Sequence, residues 1–380
     1  MTKTKIIESE GKTYFIKNRG IPEGCKYCLK GQKVVLFLNG ICQKPVHCAY
    51  YCPISEERRD KNITFADEIE ISSKEGLLDE IKKIDAKGMS ITGGEPLFGK
   101  NLQKTLEYIK FVRNELDKNF HIHLYTNGLG FSEKIANQLV SAGLNEIRFH
   151  PSIENWVNIK FALNKGLSVG AEVPVIPDNE NIEILERFIL FLDKIGAEFI
   201  NLNEFEYCFP NSQNLKERGY FLKKDSIASV EGSRDAALKL IERLKDKVSI
   251  KIHFCPIIAK DYYQLKNRYL RRAKSIKKPY EIISDEGLLL YGQIEGESEN
   301  ISKIIEVIRE NSMIKEKYLN IKKNHIKLPI KTILKPKIRK LLSDFYLEGY
   351  IVEMIPFRGK YKQITEKTPI EVFIEENYGS

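Results

Sequence analysis

The chain has 380 residues, a formal net charge of +9, 42% hydrophobic side chains and 30% charged ones. Such a length predicts one large domain with a smaller one, and the composition excludes a disordered or fibrous chain. No apolar run approaches the ~20 residues that span a bilayer, and Met1-Thr2-Lys3-Thr4-Lys5-Ile6 lacks the apolar stretch of a secretory signal, so a cytoplasmic protein with no membrane partner is expected. The positive charge suits a nucleic acid or another anionic partner as well as it suits a dispersed lysine-rich surface. Seven cysteines, five of them between Cys25 and Cys52, read as ligands in a reducing compartment.

In chain order, Cys25-Lys26-Tyr27-Cys28 reads as a cysteine pair on a turn, between Gly24 and Gly31. Val34-Val35-Leu36-Phe37-Leu38 is a short buried strand. It runs into a loop holding Cys42, Cys48 and Cys52. A helix is predicted over 73–87, with Ser72 and Glu75 at capping-box spacing, Leu77, Leu78, Ile81 and Ile84 on one face, and Gly88 as its stop. The strand Met89–Thr92 leads into Gly93-Gly94-Glu95-Pro96-Leu97, and a helix follows from about 101. A strand over 122–125 enters the turn Thr126-Asn127-Gly128. Alternation continues with a helix near 132–142, a strand over 146–150, a helix near 154–165, a strand over 167–175, a helix over 180–195 and a strand over 199–202. A helix near 230–246 and a strand over 248–252 close the series.

Strands alternating with helices predict right-handed crossovers and a parallel sheet. About six units fit between 34 and 254, short of the eight of a closed barrel. Sites in such sheets form at the carboxyl ends of strands. Cys42–Cys52, Gly93–Pro96, Thr126–Gly128 and His150 should therefore meet at one rim. Beyond 260, basic residues (Lys260, Lys266, Arg268, Arg271, Arg272, Lys274) alternate with Tyr262, Tyr263, Tyr269 and Tyr280, a pattern that holds phosphates and stacks bases or else lies on an exposed helix. Strands over 288–291, 326–328 and 350–354 with helices near 299–311 and 335–346 predict a small α+β domain. The expected boundaries are an extension over 1–33, a partial barrel over 34–255, a basic connecting helix over 256–282 and the α+β domain over 283–380.

Three thiolates at a strand end make a soft nest for zinc, copper(I) or an iron–sulfur cluster. A closed structural zinc site takes four ligands, so three leave one position open. With Tyr51 directly before Cys52, and Ile91-Thr92-Gly93-Gly94-Glu95-Pro96-Leu97 after the second strand, the chain resembles a radical S-adenosylmethionine (radical SAM) enzyme. More narrowly it resembles an uncharacterised archaeal group related to pyruvate formate-lyase activating enzymes, on Cys48-Ala49-Tyr50-Tyr51-Cys52-Pro53-Ile54-Ser55 and His253-Phe254-Cys255-Pro256. The superfamily resemblance covers about 34–254. It departs from the usual cysteine spacing of three residues then two, because Cys42, Cys48 and Cys52 are separated by five and three. Closing a slightly longer loop costs only tenths of a kcal/mol.

The resemblance implies a partial (β/α)6 barrel in which Cys42, Cys48 and Cys52 bind three irons of a 4Fe–4S cluster, leaving the fourth iron to chelate S-adenosylmethionine. It implies that Gly93, Gly94, Glu95 and Pro96 approach the methionine moiety and that Thr126 and Asn127 contact the ribose. Arg148 or His150 would meet the methionine carboxylate, and Val173–Pro177 would pack the adenine. Glu204 and Glu206 point to the same rim. Cys25, Cys28 and Cys255 form a candidate second site for zinc or an iron–sulfur cluster, with Cys208 left as a buried residue. The expected activity is reductive cleavage of S-adenosylmethionine and hydrogen abstraction from RNA, protein or a small molecule, with an external donor such as a ferredoxin or flavodoxin. The competing expectation is a non-enzymatic zinc- and nucleic-acid-binding protein.

Overall fold

The computed structural model describes residues 4–379, which divide into one compact unit up to Leu265 and a second from Lys266 on. In the first unit the hairpin β1 (Ile6–Ser9) and β2 (Thr13–Ile16) and the helix α1 (Glu23–Leu29) precede β3 (Lys33–Phe37). After the cysteine loop come a short hairpin, β4 (Thr64–Ala66) and β5 (Ile69–Ile71), and the helix α2 (Lys74–Lys83). Then follow β6 (Gly88–Thr92), α3 (Lys100–Glu115), β7 (His121–Thr126), α4 (Glu133–Ala142) and β8 (Glu146–Phe149). A 3-10 segment, Ile153–Ala162, leads to β9 (Ser168–Val175), α5 (Asn179–Ile195), β10 (Phe199–Glu204), α6 (Ser212–Glu217), α7 (Ser233–Leu244) and β11 (Lys251–Cys255).

Strands β3, β6, β7, β8, β9, β10 and β11 are parallel and adjacent in that order. Six crossovers join them, as the partial (β/α)6 arrangement requires. Antiparallel strands flank both ends, β2 on β11 and β4 on β3, so the parallel ring stays open. Every parallel strand alternates. Val34, Leu36, Met89, Ile91, Ile122, Leu124, Ile147 and Phe149 join the core beneath the helices, with Val169, Ala171, Ile200, Leu202, Ile252 and Phe254 continuing it. The residues between them face inward and are largely polar. In register, Tyr125 sits beside Arg148, Asn201 lies between Glu172 and His253, and Asn203 lies between Pro174 and Cys255.

Five local expectations are corrected. Cys25–Cys28 lies in α1, not on a turn, and α1 packs on β6 and β7. Gly24 lets it seat there. A Cβ at that position would stand 2.4 Å from His123 Nδ1 and 2.5 Å from the Arg148 guanidinium, while its N–H donates to Glu146 at 3.1 Å. The cap of α2 is Ser73 rather than Ser72, and Gly88 opens β6 instead of ending the helix. The segment near 154–165 is 3-10, held by Asn155 to Ser152 and by Asn158 to the Gly128 carbonyl. The last parallel strand begins at Lys251, because the backbone N–H groups of Ser249 and Ile250 are taken by the Asp193 carboxylate and not by a neighbouring strand.

In the second unit α8 (Leu265–Ile276) and β12 (Ile282–Ile283) precede β13 (Leu289–Glu295), α9 (Ser298–Glu310), the pair β14 (Asn320–Lys322) and β15 (His325–Leu328), α10 (Ile330–Ile333), α11 (Pro336–Asp344), β16 (Glu348–Met354), β17 (Ile364–Pro369) and α12 (Ile370–Tyr378). The antiparallel order β14-β15-β13-β16-β17 is a βαββαβ arrangement with one strand added. Ile294, Ile326, Leu328 and Ile351 pack under α9 to α12, and Ala273 of α8 covers part of the opposite face beside Tyr291 and Val352. Arg272 is buried there, its Nε donating to the Pro356 carbonyl at 2.7 Å and its guanidinium over the Phe357 ring. Tyr280 is buried in the same cluster. These members of the basic–aromatic series therefore serve packing. Among the described residues, no helix is long and apolar enough to cross a membrane.

Replacing Gly24 with Ala forces α1 off the buried charges beneath it. Overpacking of this kind costs ~1–3 kcal/mol, and each kcal/mol lowers the melting temperature of a unit this size by about 2–4 °C. Thermal unfolding followed by circular dichroism checks it.

Candidate active site

A cavity of about 970 Å³ opens at the carboxyl ends of the parallel strands and runs down the inside of the first unit. Lining it are Cys42, Cys48, Cys52, Gly93 to Pro96, Thr126, Asn127, Arg148 and His150, together with Cys25, Cys28 and Cys255, whereas Val173, Val175, Ile176 and Pro177 of the expected adenine segment do not. Pro174, Glu204 and Glu206 line it too, whereas Cys208 does not. The one-rim expectation thus describes the geometry found.

The cysteine loop is pinned at several points. Its first residues lie against the Gly93-Gly94 backbone: Gly94 N–H donates to the Asn39 carbonyl at 2.7 Å and Glu95 N–H to the Ile41 carbonyl at 2.9 Å. A Cβ on Gly93 would come 2.5 Å from the Asn39 oxygen, and one on Gly94 would come 2.1 Å from the Ile41 oxygen. Gly93 also has φ +148°, which other residues rarely adopt. The glycines are therefore required by the loop itself, a close approach that the sequence reading assigned to the methionine moiety. Asn39 and Asn101 bond each other reciprocally at 2.7 and 3.1 Å, and Asn101 also donates to the Glu95 carbonyl at 2.9 Å. Arg59 closes the far end, donating to the Cys52 and Ile54 carbonyls at 3.1 Å each.

Glu95 joins two strand ends. Its buried carboxylate accepts from the Thr126 hydroxyl at 2.7 Å, the Asn127 N–H at 2.7 Å and the Leu97 N–H at 3.1 Å. Burial raises its pKa to about 7 despite these donors. Gln43 of the loop donates to Asn127 at 3.0 Å, and Tyr51 bonds the His150 ring Nε2 at 2.9 Å. Burial, followed by the neighbouring His47, lowers the His150 pKa to about 3, so the ring is neutral.

The sulfurs of Cys42, Cys48 and Cys52 lie close enough for their charges to interact. Burial first, then Glu95 and Cys52, push the Cys42 thiol up to about 11. Burial with Cys52 and Cys42 pushes Cys48 up to about 12. Thiols that repel one another's charge are suited to a cation that holds them as thiolates, and binding one releases their protons. Among the described residues no group of three His, Cys, Asp or Glu side chains converges on a single ion. The ligands of a cluster each reach a different iron and need no such convergence. The partly exposed trio lining the cavity is a donor set that suits an iron–sulfur cluster.

Deeper in the cavity the charges are matched. Arg148, only 1% exposed, is ion-paired with Glu146 and lies 2.6 Å from Glu172. Burial works to raise the Glu172 pKa, but Arg148 and the Asn203 and Asn201 amides bring it below the ordinary value. Lys33 donates to the Nδ1 atoms of His121 and His123 at 2.8 and 2.7 Å. Arg148 is thus committed to two carboxylates, while His150 is the member of that pair at the rim. Glu204 is likewise committed, accepting from the Ile257 N–H at 2.8 Å. Lys33, Glu146, Glu172, Asn201 and Asn203 were not singled out from the sequence. The signal was there: parallel strands covered on both faces read as continuous apolar runs, whereas His121-x-His123-x-Tyr125 and Glu146-x-Arg148 alternate.

Residues 16–166 match the model of the radical SAM superfamily. A protein of Methanocaldococcus jannaschii, named as a candidate glycyl-radical enzyme activating enzyme, is 40% identical over 306 residues, covering 77% of this chain and 79% of that one. A GTP 3′,8-cyclase of Corynebacterium glutamicum is 37% identical over 67 residues, 18% of each chain. Among solved structures, SuiB of Streptococcus suis bound to S-adenosylmethionine aligns with a TM-score of 0.41 at 11% identity, over 68% of this chain and 59% of that one.

Glu95→Ala leaves the Thr126 hydroxyl and two backbone N–H groups buried without an acceptor. Each such group costs ~1–3 kcal/mol, so the variant should unfold at clearly lower urea concentration than the wild type. Equilibrium unfolding followed by fluorescence measures the difference.

Proposed function

The chain belongs to the radical S-adenosylmethionine superfamily, and on that premise we propose that it cleaves S-adenosylmethionine reductively at a 4Fe–4S cluster and takes a hydrogen atom from a partner protein. The observation that carries this reading is the meeting of three mutually interacting cysteines, the Gly93–Pro96 turn, Thr126–Asn127 and His150 around one cavity. When bound, the cluster and S-adenosylmethionine supply an electron and a 5′-deoxyadenosyl radical, chemistry that belongs to the cofactor.

The chain's own part is to hold and shield. Cys42, Cys48 and Cys52 would bind the irons, and the bonds from Asn39, Asn101 and Arg59 would keep the loop in one shape. The Glu95 carboxylate would hold the Gly93–Pro96 turn and the Thr126–Asn127 turn at a constant separation. Neutral His150, fixed by Tyr51, would offer a hydrogen bond without adding charge. A cavity that runs inside the ring of strands would limit the water that reaches a reactive intermediate. An electron would come from an external carrier of the ferredoxin or flavodoxin class.

A protein substrate is favoured over RNA by two observations. The relative that matches most of this chain is named as an activating enzyme. Exposed apolar side chains stand beside the rim among charged ones such as Glu154 and Lys160: Leu129 follows the Thr126–Gly128 turn, Ile153 and Val157 follow His150, and Asn158 ties the two segments together. Apolar patches of this kind mark protein contacts.

Anaerobic reconstitution tests the reading. The wild type should bind a 4Fe–4S cluster and release 5′-deoxyadenosine under dithionite, and Cys48→Ala should reduce that product to background. Colourless protein that holds zinc alone and does not bind S-adenosylmethionine would overturn it.

A further inference from the structure

The cavity is also lined by a second set of thiols that the reading above does not use. Cys25 and Cys28 are three apart in α1, so both project from one helix face, and that face lines the cavity. Cys255, the last residue of β11, lines it as well. Cys25 and Cys255 are buried. All three sulfurs lie within electrostatic range of one another. Cys255 packs beside Leu29, Ala259, Ile21 and Tyr263, whereas Cys25 and Cys28 sit among charged groups. Each has a cation near it: Arg148 for Cys25, Lys33 for Cys28 and Lys260 for Cys255, with Glu146 and Glu172 also close.

A second observation points to the same place. Asn201 donates its amide N–H₂ to Glu172 at 2.8 Å and to the Cys25 sulfur at 3.0 Å. Its carbonyl oxygen is therefore the atom 2.8 Å from His253 Nδ1, and that nitrogen must carry the proton. The other ring nitrogen, Nε2, is left with a free lone pair. It is buried, has no hydrogen-bond partner and belongs to a residue that lines the cavity two positions before Cys255. A buried ring whose Nδ1–H is held by a carbonyl and whose Nε2 keeps its lone pair is arranged as metal-binding histidines are.

We propose that Cys25, Cys28, Cys255 and His253 Nε2 hold a second iron–sulfur cluster in the cavity. Iron–sulfur is favoured over zinc because these side chains do not converge on one ion, any more than Cys42, Cys48 and Cys52 do. The Asn201 N–H bond to sulfur is of the kind that tunes a cluster's potential. With four protein ligands such a cluster has no open iron, so its role is to accept and pass on an electron. The proposal depends on the radical SAM reading only for the existence of the first cluster.

Anaerobic reconstitution with iron and sulfide, with iron, sulfide and zinc analysis and electron paramagnetic resonance of the reduced protein, tests it. The wild type should bind about eight irons, and a Cys25→Ser/Cys28→Ser/Cys255→Ser variant about four. A Cys42→Ser/Cys48→Ser/Cys52→Ser variant should also keep about four, with a resonance that S-adenosylmethionine does not alter and that His253→Gln shifts. A wild type with only about four irons, all lost from that second triple variant, overturns the proposal and leaves the first reading standing. Zinc at Cys25, Cys28 and Cys255 overturns it equally. Because the wild-type count decides by itself, a variant that fails to fold does not shield the proposal.

Discussion

Arg148 stands between two carboxylates, Glu146 on its own strand and Glu172 on the next, inside a sheet whose outer face is aliphatic. A buried guanidinium without partners would be prohibitively costly, and a buried pair is secure only when its remaining hydrogen bonds are met. Here the matching extends outward. Glu172 takes the amides of Asn201 and Asn203, Glu146 takes the Gly24 N–H, and Lys33 is shared by two histidines. This network allows the inside of an open ring of strands to be polar, and so to be a cavity instead of a packed core. The seating of α1 and the depth of the cavity both follow from it.

The upper rim depends on backbone contacts in place of charge. Gly93 and Gly94 bring the end of β6 against the first residues of the cysteine loop at distances that no side chain would permit. Glu95 carries the same register across to β7. A loop with longer gaps between its cysteines than the usual pattern is held in shape by these bonds and by Arg59, which offsets the additional freedom of the longer chain. The two halves of the cavity therefore have different designs, a backbone-built rim and a charge-built floor.

Function divides along the same line. On the proposed reading the rim would hold the superfamily's cofactors, and its exposed apolar neighbours would meet a protein partner. The floor has chemistry of its own, three thiols with nearby cations and a histidine with an unused lone pair. The second unit contributes a separate aliphatic core under its sheet, into which part of the basic–aromatic segment is drawn.

Much of this was legible in the residues. The alternation of strand and helix, the cysteine loop and the Gly-Gly-Glu-Pro turn are local patterns, and local pattern is enough to place them at strand ends. Their convergence followed from the rule that parallel strands present their carboxyl ends on one side. Other features needed the tertiary structure. Cys25–Cys28 looks like a turn until α1 is seen seated on Arg148, because only contact with residues more than a hundred positions away makes that helix worthwhile. The strand at Val248 shifts to Lys251 because a distant aspartate claims its first N–H groups. His253 acquires its tautomer from Asn201 on the neighbouring strand. Composition and periodicity determined which elements form and where their ends gather. Long-range pairing of buried charges and hydrogen bonds, which no local window contains, decided what the cavity between them is made of.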